Sequence, residues 1–496
     1  MRTRSRKQRE DDFSHRRPVF LRLYRGRAVT HIAPGFAFSR YTTQVMCGIG
    51  FSEKGLTFYR QIWTIFPMNF PRIFLKTKEE IDIKLGQPWV FDNEIAFVKL
   101  QTSKGIEQLP LEECSIPDGS PVEVYSKGGL FLGTGIINLK SKITIRLLSA
   151  EKPEQIFGKD VAYDKPQTIH SEQLLSFFEK KVKDALDARF LFYKKSDSYR
   201  LIFAEADFIP GFVVDRFCDI EGRVFLSVQI LSLSAEVFRT ELIDALRTVC
   251  RPFGIYERSD ASVRKLEGLE IRNGWIGPEH NPVITIKENG VLLSIDLENG
   301  QKTGYFLDQK ENRKMVASLA KGKRVLDTFC HTGAFGLNAF LGGAKEVIAA
   351  DISEEAVSTT QTNIGLNKAG HTMKVVCADV FDLLRQYEAE KKQFDMIILD
   401  PPAFAKTASK VDKAYGGYKE INLRAMRLLV PGGILVTCSC SHFFDTPRFY
   451  DMITNAAGDA HRRVQIFSKQ GAGPDHPVLA GYSKSEYLKC AVVRVM

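Results

Sequence analysis

No apolar run in the 496 residues reaches the roughly 18 that a bilayer-spanning helix needs, which excludes an integral helical membrane protein. Cysteine is sparse: nine thiols are scattered along the chain, with no repeated close pairs in the spacing of a zinc site or a disulfide scaffold. No metal is therefore expected. No secretory signal precedes the thiols, so a reducing cytoplasm is the expected compartment. Tandem repeats and low-complexity tracts are missing too. So is any excess of one charge over most of the chain. The net charge is +10, but residues 1–67 hold 13 basic and 4 acidic side chains, and the remainder holds 56 and 55. Global basicity is thus weak evidence for a nucleic-acid partner. What the chain does have is 44% hydrophobic and 26% charged residues, which excludes a disordered polymer. Its length implies two to four domains.

Residues 1–67 are unlike the rest. Arg2 to Arg27 is Arg-rich, with no amphipathic period. The expectation is an extra tail, disordered or the product of a misplaced start, with translation from Met68. A basic RNA-binding arm and an organelle presequence are the alternatives; Glu10, Asp11 and Asp12 oppose the latter. Residues 68–155 carry many short β runs punctuated by glycines such as Gly119, Gly128 and Gly133, the pattern of a small β-barrel-like module. Residues 156–275 mix strands with amphipathic helices, over Glu172–Leu191 and Ala235–Cys250, as an α+β domain does. The Asn289-Gly290 step predicts a hairpin of Val283–Lys287 with Val291–Leu297. From 276 to 496 the chain settles into strand, loop and helix. That alternation predicts a parallel, doubly wound, Rossmann-like α/β sheet.

Chemistry concentrates in that last segment. Val325–Gly336 runs from a strand through a Gly-containing loop into a helix starting near Gly333, where the backbone can approach a ligand closely. It matches neither the dinucleotide fingerprint nor the phosphate loop. Asp327 would repel a pyrophosphate there, which favours a cofactor presenting a cation, such as S-adenosylmethionine. Phe329 lies in the same loop. Asp351 ends the next strand, where a carboxylate can accept ribose hydroxyls, and Asp379 follows the third, within reach of an adenine amino group. Acids at the carboxyl ends of consecutive parallel strands share one crevice. In Asp400-Pro401-Pro402-Ala403-Phe404 the prolines stiffen the loop and present Asp400 to a planar group, with Phe404 available to stack. Cys438 and Cys440 close a fifth strand. One is expected to be structural, and the other is a candidate nucleophile.

Gln301–Gln309, the Asp327–Gly336 loop, Asp400–Phe404 and Ser439-Cys440-Ser441 together resemble the 23S rRNA cytosine-C5 methyltransferases. The middle segments Glu257–Asp260 and Pro210–Arg216 share the likeness, as do Asp475–Leu479 and Glu486–Leu488 near the C-terminus. The resemblance runs from about Pro71 onward. It implies a class I, S-adenosylmethionine-dependent enzyme with an N-terminal PUA module gripping structured RNA. It also implies a seven-stranded sheet whose one antiparallel strand falls in Tyr487–Val495. Spacing from Gly432 in related enzymes lands on Cys440. The chain has Ser-Cys-Ser-His here, where uracil-specific relatives have Ser-Cys-Asn-Pro.

The expected reaction is therefore methylation of cytosine C5 in 23S rRNA, or in a large-subunit precursor, through a covalent Cys440 adduct. Asp400 would orient or protonate the base near N3. Asp327, Phe329, Gly333, Asp351, Asp379, Asp400 and Thr303 are the candidate cofactor residues. Pro401, Phe404 and Lys302 are the candidate substrate residues. No membrane partner is expected, and a homodimer is left open. Guanine-N7 methylation on the same fold is the runner-up. An inactive RNA-binding assembly factor is the alternative of a different class.

Overall fold

The computed structural model describes residues 69–496 except 160, 162–169 and 406. The expectations for residues 1–67 and for the start at Met68 lie outside the described residues. Helices of eight or more residues are numbered α1 to α8.

The N-terminal part is a seven-stranded sheet in the order β2-β7-β6-β5-β1-β3-β4. Its strands are β1 (Arg72–Leu75), β2 (Trp89–Val90), β3 (Ile95–Thr102), β4 (Gly105–Leu109), β5 (Pro121–Tyr125), β6 (Phe131–Ile137) and β7 (Ile145–Ser149). Ile73, Val98, Val122, Val124 and Ile137 fill its core. Arg146 of β7 ties it to the central part. Its guanidinium bridges Glu205 at 3.0 Å and Glu267 at 2.9 Å, all three side chains being buried. Breaking such a pair on one side leaves a buried, unmatched charge, so it fixes how the two parts meet.

The central sheet runs β12-β11-β10-β9-β8. Its strands are β8 (Tyr199–Phe203), β9 (Phe212–Cys218), β10 (Val224–Ile230), β11 (Gly254–Ser259) and β12 (Arg272–Trp275). Helices α1 (Glu172–Phe190) and α2 (Arg239–Cys250) pack on it. The single helix expected over Ala235–Cys250 is broken. Leu233–Glu236 forms one turn, and Phe238 then leaves helical geometry at φ −104°, ψ 20°. That break lets the Phe238 ring bury itself against Phe157 and Phe178, which outweighs a continuous amphipathic period.

The hairpin β13 (Val283–Glu288) and β14 (Val291–Asp296) turns at Asn289 and Gly290, at φ 51° and 95°. Two consecutive left-handed residues suit the right-handed twist of the arms. The backbone of β14 is satisfied by two asparagine side chains. Asn363 accepts from Ser294 N–H at 2.7 Å, and Asn367 accepts from and donates to Leu292. This pins the hairpin to the helix Glu354–Leu366 and to Asn367 just after it, and brings residues 297–309 to the adjoining sheet.

That last sheet has the order β17-β16-β15-β18-β19-β21-β20. It contains β15 (Arg324–Thr328), β16 (Glu346–Asp351), β17 (Met373–Cys377), β18 (Phe394–Leu399), β19 (Leu429–Ser439), β20 (Val464–Gln470) and β21 (Lys489–Val495). The first five strands pair in parallel, and β21 lies antiparallel between β19 and β20. The sheet therefore has seven strands, with the antiparallel one where the resemblance implied. Helices α3 (Lys310–Leu319), α4 (Ala334–Leu341), α5 (Glu354–Leu366), α6 (Val380–Ala389), α7 (Val411–Leu428) and α8 (Thr446–Asp459) cover both faces. The order reverses between β15 and β18, and such a reversal opens a crevice at the carboxyl ends of the strands.

Among the described residues, no helix is long and apolar enough to cross a membrane.

Candidate active site

The loop after β15 is built from alternating left-handed residues: Phe329 at φ 57°, His331 at 51° and Gly333 at 72°. A β-carbon on Gly333 would stand 2.6 Å from Thr360, so only glycine fits where the loop turns into α4. Asp327 is completely buried beneath this loop. One of its carboxylate oxygens accepts the Gly336 N–H at 2.7 Å, and the other has no partner. Burial, reinforced by Asp400 and Asp351, pushes its pKa up to about 8.

Asp351 ends β16 and accepts two backbone N–H groups, from His331 at 2.9 Å and Ser353 at 3.1 Å. Each carboxylate oxygen keeps a further lone pair. Asp379 caps α6: one oxygen accepts from Phe381 and Asp382, leaving the other available. The His331 ring packs edge-on against Phe306 at 5.0 Å. Burial lowers its pKa to about 4, so it is neutral at physiological pH.

Across the crevice, Asp400 follows β18 and accepts from the Gln309 side chain at 2.9 Å. Burial and the Asp308 carboxylate push its pKa up to about 7. Asp308 is itself buried, and it accepts the Tyr487 hydroxyl and the Lys302 ammonium, the latter at 3.5 Å. Burial alone would raise its pKa; Lys302, His476 and the Tyr487 hydroxyl outweigh burial and hold it below the usual carboxylate range. Lys302 also sits 4.4 Å from the centre of the Phe306 ring.

The two cysteines part company here. Cys438 is fully buried in β19 and directly opposite Cys490 of β21. Cys440, one residue past the strand, is partly exposed. Burial and the Asp400 and Asp308 charges raise its thiol to about 11, and Lys302 opposes them. On either side, Ser439 donates to the Tyr418 hydroxyl at 3.1 Å and Ser441 to the Ala405 carbonyl at 2.7 Å.

Most of the residues singled out in the sequence thus gather at one sheet edge; two do not serve as expected. Thr303 is completely buried and donates its hydroxyl to Asp215, which also receives a bidentate Arg200. Its hydroxyl is committed to that bond, which ties the loop to β9. Phe404 is packed on Tyr418 at 4.6 Å and near Phe381 at 6.1 Å, so aromatic neighbours within the domain already engage its ring. Pro401 is buried beside Asp400 and stiffens the loop from within. Sequence reasoning gave no role to Asp308, Gln309, Tyr487 or Lys489. All but Lys489 lie inside quoted motifs, but nothing in their spacing announces that they meet.

The donor set fits S-adenosylmethionine. A buried carboxylate oxygen without a partner suits a cationic ligand, and glycines let the backbone approach it. Residues 269–476 match the family model of S-adenosylmethionine-dependent methyltransferases, and residues 73–150 match that of PUA-like domains. A candidate S-adenosylmethionine-dependent methyltransferase from Streptococcus mutans shares the fold. Its TM-score is 0.66 at 22% identity, covering 85% of this chain and 99% of that one. A methyltransferase structure complexed with S-adenosylhomocysteine gives 0.67 at the same identity and coverage. The class is thus an S-adenosylmethionine-dependent methyltransferase.

Ribosomal RNA large subunit methyltransferase I of Photobacterium profundum is 38% identical over 422 residues, 84% of this chain and 97% of that protein. Its counterpart in Aeromonas salmonicida is 38% identical over 426 residues, 85% and 98% respectively. The chain belongs to the ribosomal RNA large subunit methyltransferase I family.

Proposed function

We propose that this enzyme methylates C5 of a cytosine in 23S rRNA, acting in the cytoplasm on the large-subunit RNA or its precursor, through a covalent adduct on Cys440. The observation that carries this reading is the placement of Cys440: a partly exposed thiol just beyond β19, coupled to Asp400 and Lys302, while Cys438 is locked in the core. The names of its relatives supply the RNA class, and the match of residues 73–150 to PUA-like domains supports an RNA-gripping module there.

Asp327, Asp351, Asp379 and the Phe329–Gly333 loop would hold the cofactor, which when bound would supply an electrophilic methyl group to C5. The target base is flipped out of any helix to enter the crevice. Lys302 favours loss of the Cys440 proton to solvent. The thiolate pair then forms a bond to C6, and the C5–C6 π electrons move to C5, which becomes nucleophilic. Asp400 titrates near neutrality, so its protonated form is available to donate at N3 and draw electrons from C6. After C5 has taken the methyl group, water in the crevice accepts the C5 proton and the C5–H pair re-forms the C5–C6 double bond. The S–C6 bond breaks with its electron pair returning to sulfur, and N3 gives its proton back to Asp400.

Cys440→Ala is expected to abolish methylation while leaving cofactor affinity within about twofold. Mass spectrometry of rRNA nucleosides from cells with and without the enzyme should show 5-methylcytidine at one position that disappears. The high resting pKa of Cys440 favours a second reading, guanine-N7 methylation, which needs no thiolate. A fully active Cys440→Ala enzyme and loss of 7-methylguanosine would establish that reading instead.

A further inference from the structure

Lys489 opens β21 in register with Ser439, the residue before Cys440. Its side chain is buried. The ammonium donates to two main-chain carbonyls, Ser441 at 2.7 Å and Tyr487 at 2.8 Å. It has no carboxylate ion-pair partner among the described residues. A buried cation held only by neutral oxygens is costly to desolvate, and such groups persist where position matters.

The two carbonyls belong to the segments that border the thiol. Ser441 follows Cys440 directly. Tyr487 gives its hydroxyl to Asp308, which in turn receives Lys302. One ammonium therefore joins the cysteine turn to the segment whose Tyr487 hydroxyl reaches Asp308. The bonds made by Ser439 and Ser441 anchor the same turn to Tyr418 and to the loop after β18. Among the described side chains, Lys489 is the one that anchors it to β21.

We propose that Lys489 is a positioning residue for methyl transfer, setting Cys440 at the crevice mouth by bridging the Ser441 and Tyr487 carbonyls across β19 and β21. The inference rests on Cys440 being the nucleophile. A misplacement of about 1 Å at a reacting group costs on the order of 10²-fold in rate. Burial lowers the Lys489 pKa to about 8, so below that pH its ammonium adds a second positive charge beside the thiol. The groups facing Cys440 are then Asp400, Asp308 and Tyr418, against Lys302 and Lys489. His442 adjoins it, and burial, followed by Lys489, Lys484 and Lys302, lowers its pKa.

The test uses the full-length enzyme and follows Cys440 alkylation by iodoacetamide against pH, read by peptide mass mapping, beside kcat, KM and melting temperature. Lys489→Met should lower kcat on the order of 10²-fold, leave KM for S-adenosylmethionine within about twofold, and slow Cys440 alkylation at pH 7, where the Lys489 ammonium is charged. Lys489→Arg should restore the pH 7 alkylation rate and part of kcat. A Lys489→Met enzyme with the wild-type alkylation profile and kcat overturns the proposal. So does one that changes only in melting temperature. If Lys489→Met is insoluble, Lys489→Gln is carried through the same measurements with the same criteria. Cys440→Ala is assayed in parallel: full activity there refutes the nucleophile itself, whereas the alkylation profile of the Lys489 variants judges the clamp alone.

Discussion

With Asp327 in the proposed cofactor site, its carboxyl group should make cofactor binding a proton-linked event. In the free enzyme its pKa stands at about 8, because burial and the neighbouring Asp400 and Asp351 outweigh the single Gly336 N–H it accepts. Near neutrality it is mostly protonated. A sulfonium ligand favours the charged form, so binding at pH 7 must expel a proton. One pH unit below the pKa costs about 1.4 kcal/mol, or tenfold in Kd, and two units cost about 2.7 kcal/mol, or a hundredfold. The affinity for S-adenosylmethionine should therefore rise from pH 6 toward pH 8 and then level off. The sign follows from the ligand preferring the deprotonated site, which is already present above the raised pKa and scarce below it. Titration calorimetry at pH 7 in two buffers of different ionisation enthalpy should register net release of a proton. S-adenosylhomocysteine lacks the sulfonium charge and should show a shallower dependence. The α-amino group of the ligand titrates in the same region, and Asp327→Asn separates the two contributions by removing only that of the protein. A Kd independent of pH between 6 and 8, with no net proton exchange, would refute the assignment of Asp327 to the cofactor site.

Three further outcomes follow from particular contacts. Arg313→Met removes a buried guanidinium that grips Glu288 at 2.6 and 3.0 Å, leaving a buried carboxylate with only the Tyr305 hydroxyl. A loss of about 3–5 kcal/mol in urea unfolding is expected. Gly333→Ala forces a β-carbon to 2.6 Å from Thr360 at a left-handed position, and should weaken S-adenosylmethionine binding at least about tenfold by calorimetry. Cys438→Ala empties a little core volume opposite Cys490, and should lower stability by about 1 kcal/mol while methylation persists, in contrast with Cys440→Ala.

Much of the fold was legible because its signals are local. Asn289-Gly290 specified its hairpin through two left-handed residues, and the buried strand at Val325 led through Gly333 into a helix as its turn chemistry demanded. Strand ends carrying Asp327, Asp351 and Asp400 converge because parallel strands expose their carboxyl ends on one side. The failures involve partners distant in sequence. Thr303 looked free for a ligand because Asp215, 88 residues earlier, arrives only through folding. Phe404 looked available for stacking because Tyr418 lies on the next helix and gives no sign of facing it. The helix at Ala235–Cys250 broke because Phe238 found Phe157 and Phe178, which no periodicity records. The residue pattern alone left Cys438 and Cys440 open, because the answer depends on where β19 stops, a boundary that sequence patterns locate poorly; the spacing from Gly432 that the resemblance implies is what pointed to Cys440.

The placement of β21 has a consequence for biosynthesis. It follows β20 along the chain yet wedges itself inside, between β20 and β19. The five parallel strands can associate while translation proceeds, but the flank beside Cys440 stays unzipped until residues 489–495 emerge from the peptide channel. Completing the surroundings of the thiol thus requires β21 to insert between two strands made before it, so the Cys440 side of the sheet is closed by an insertion step and not by simple addition at an edge.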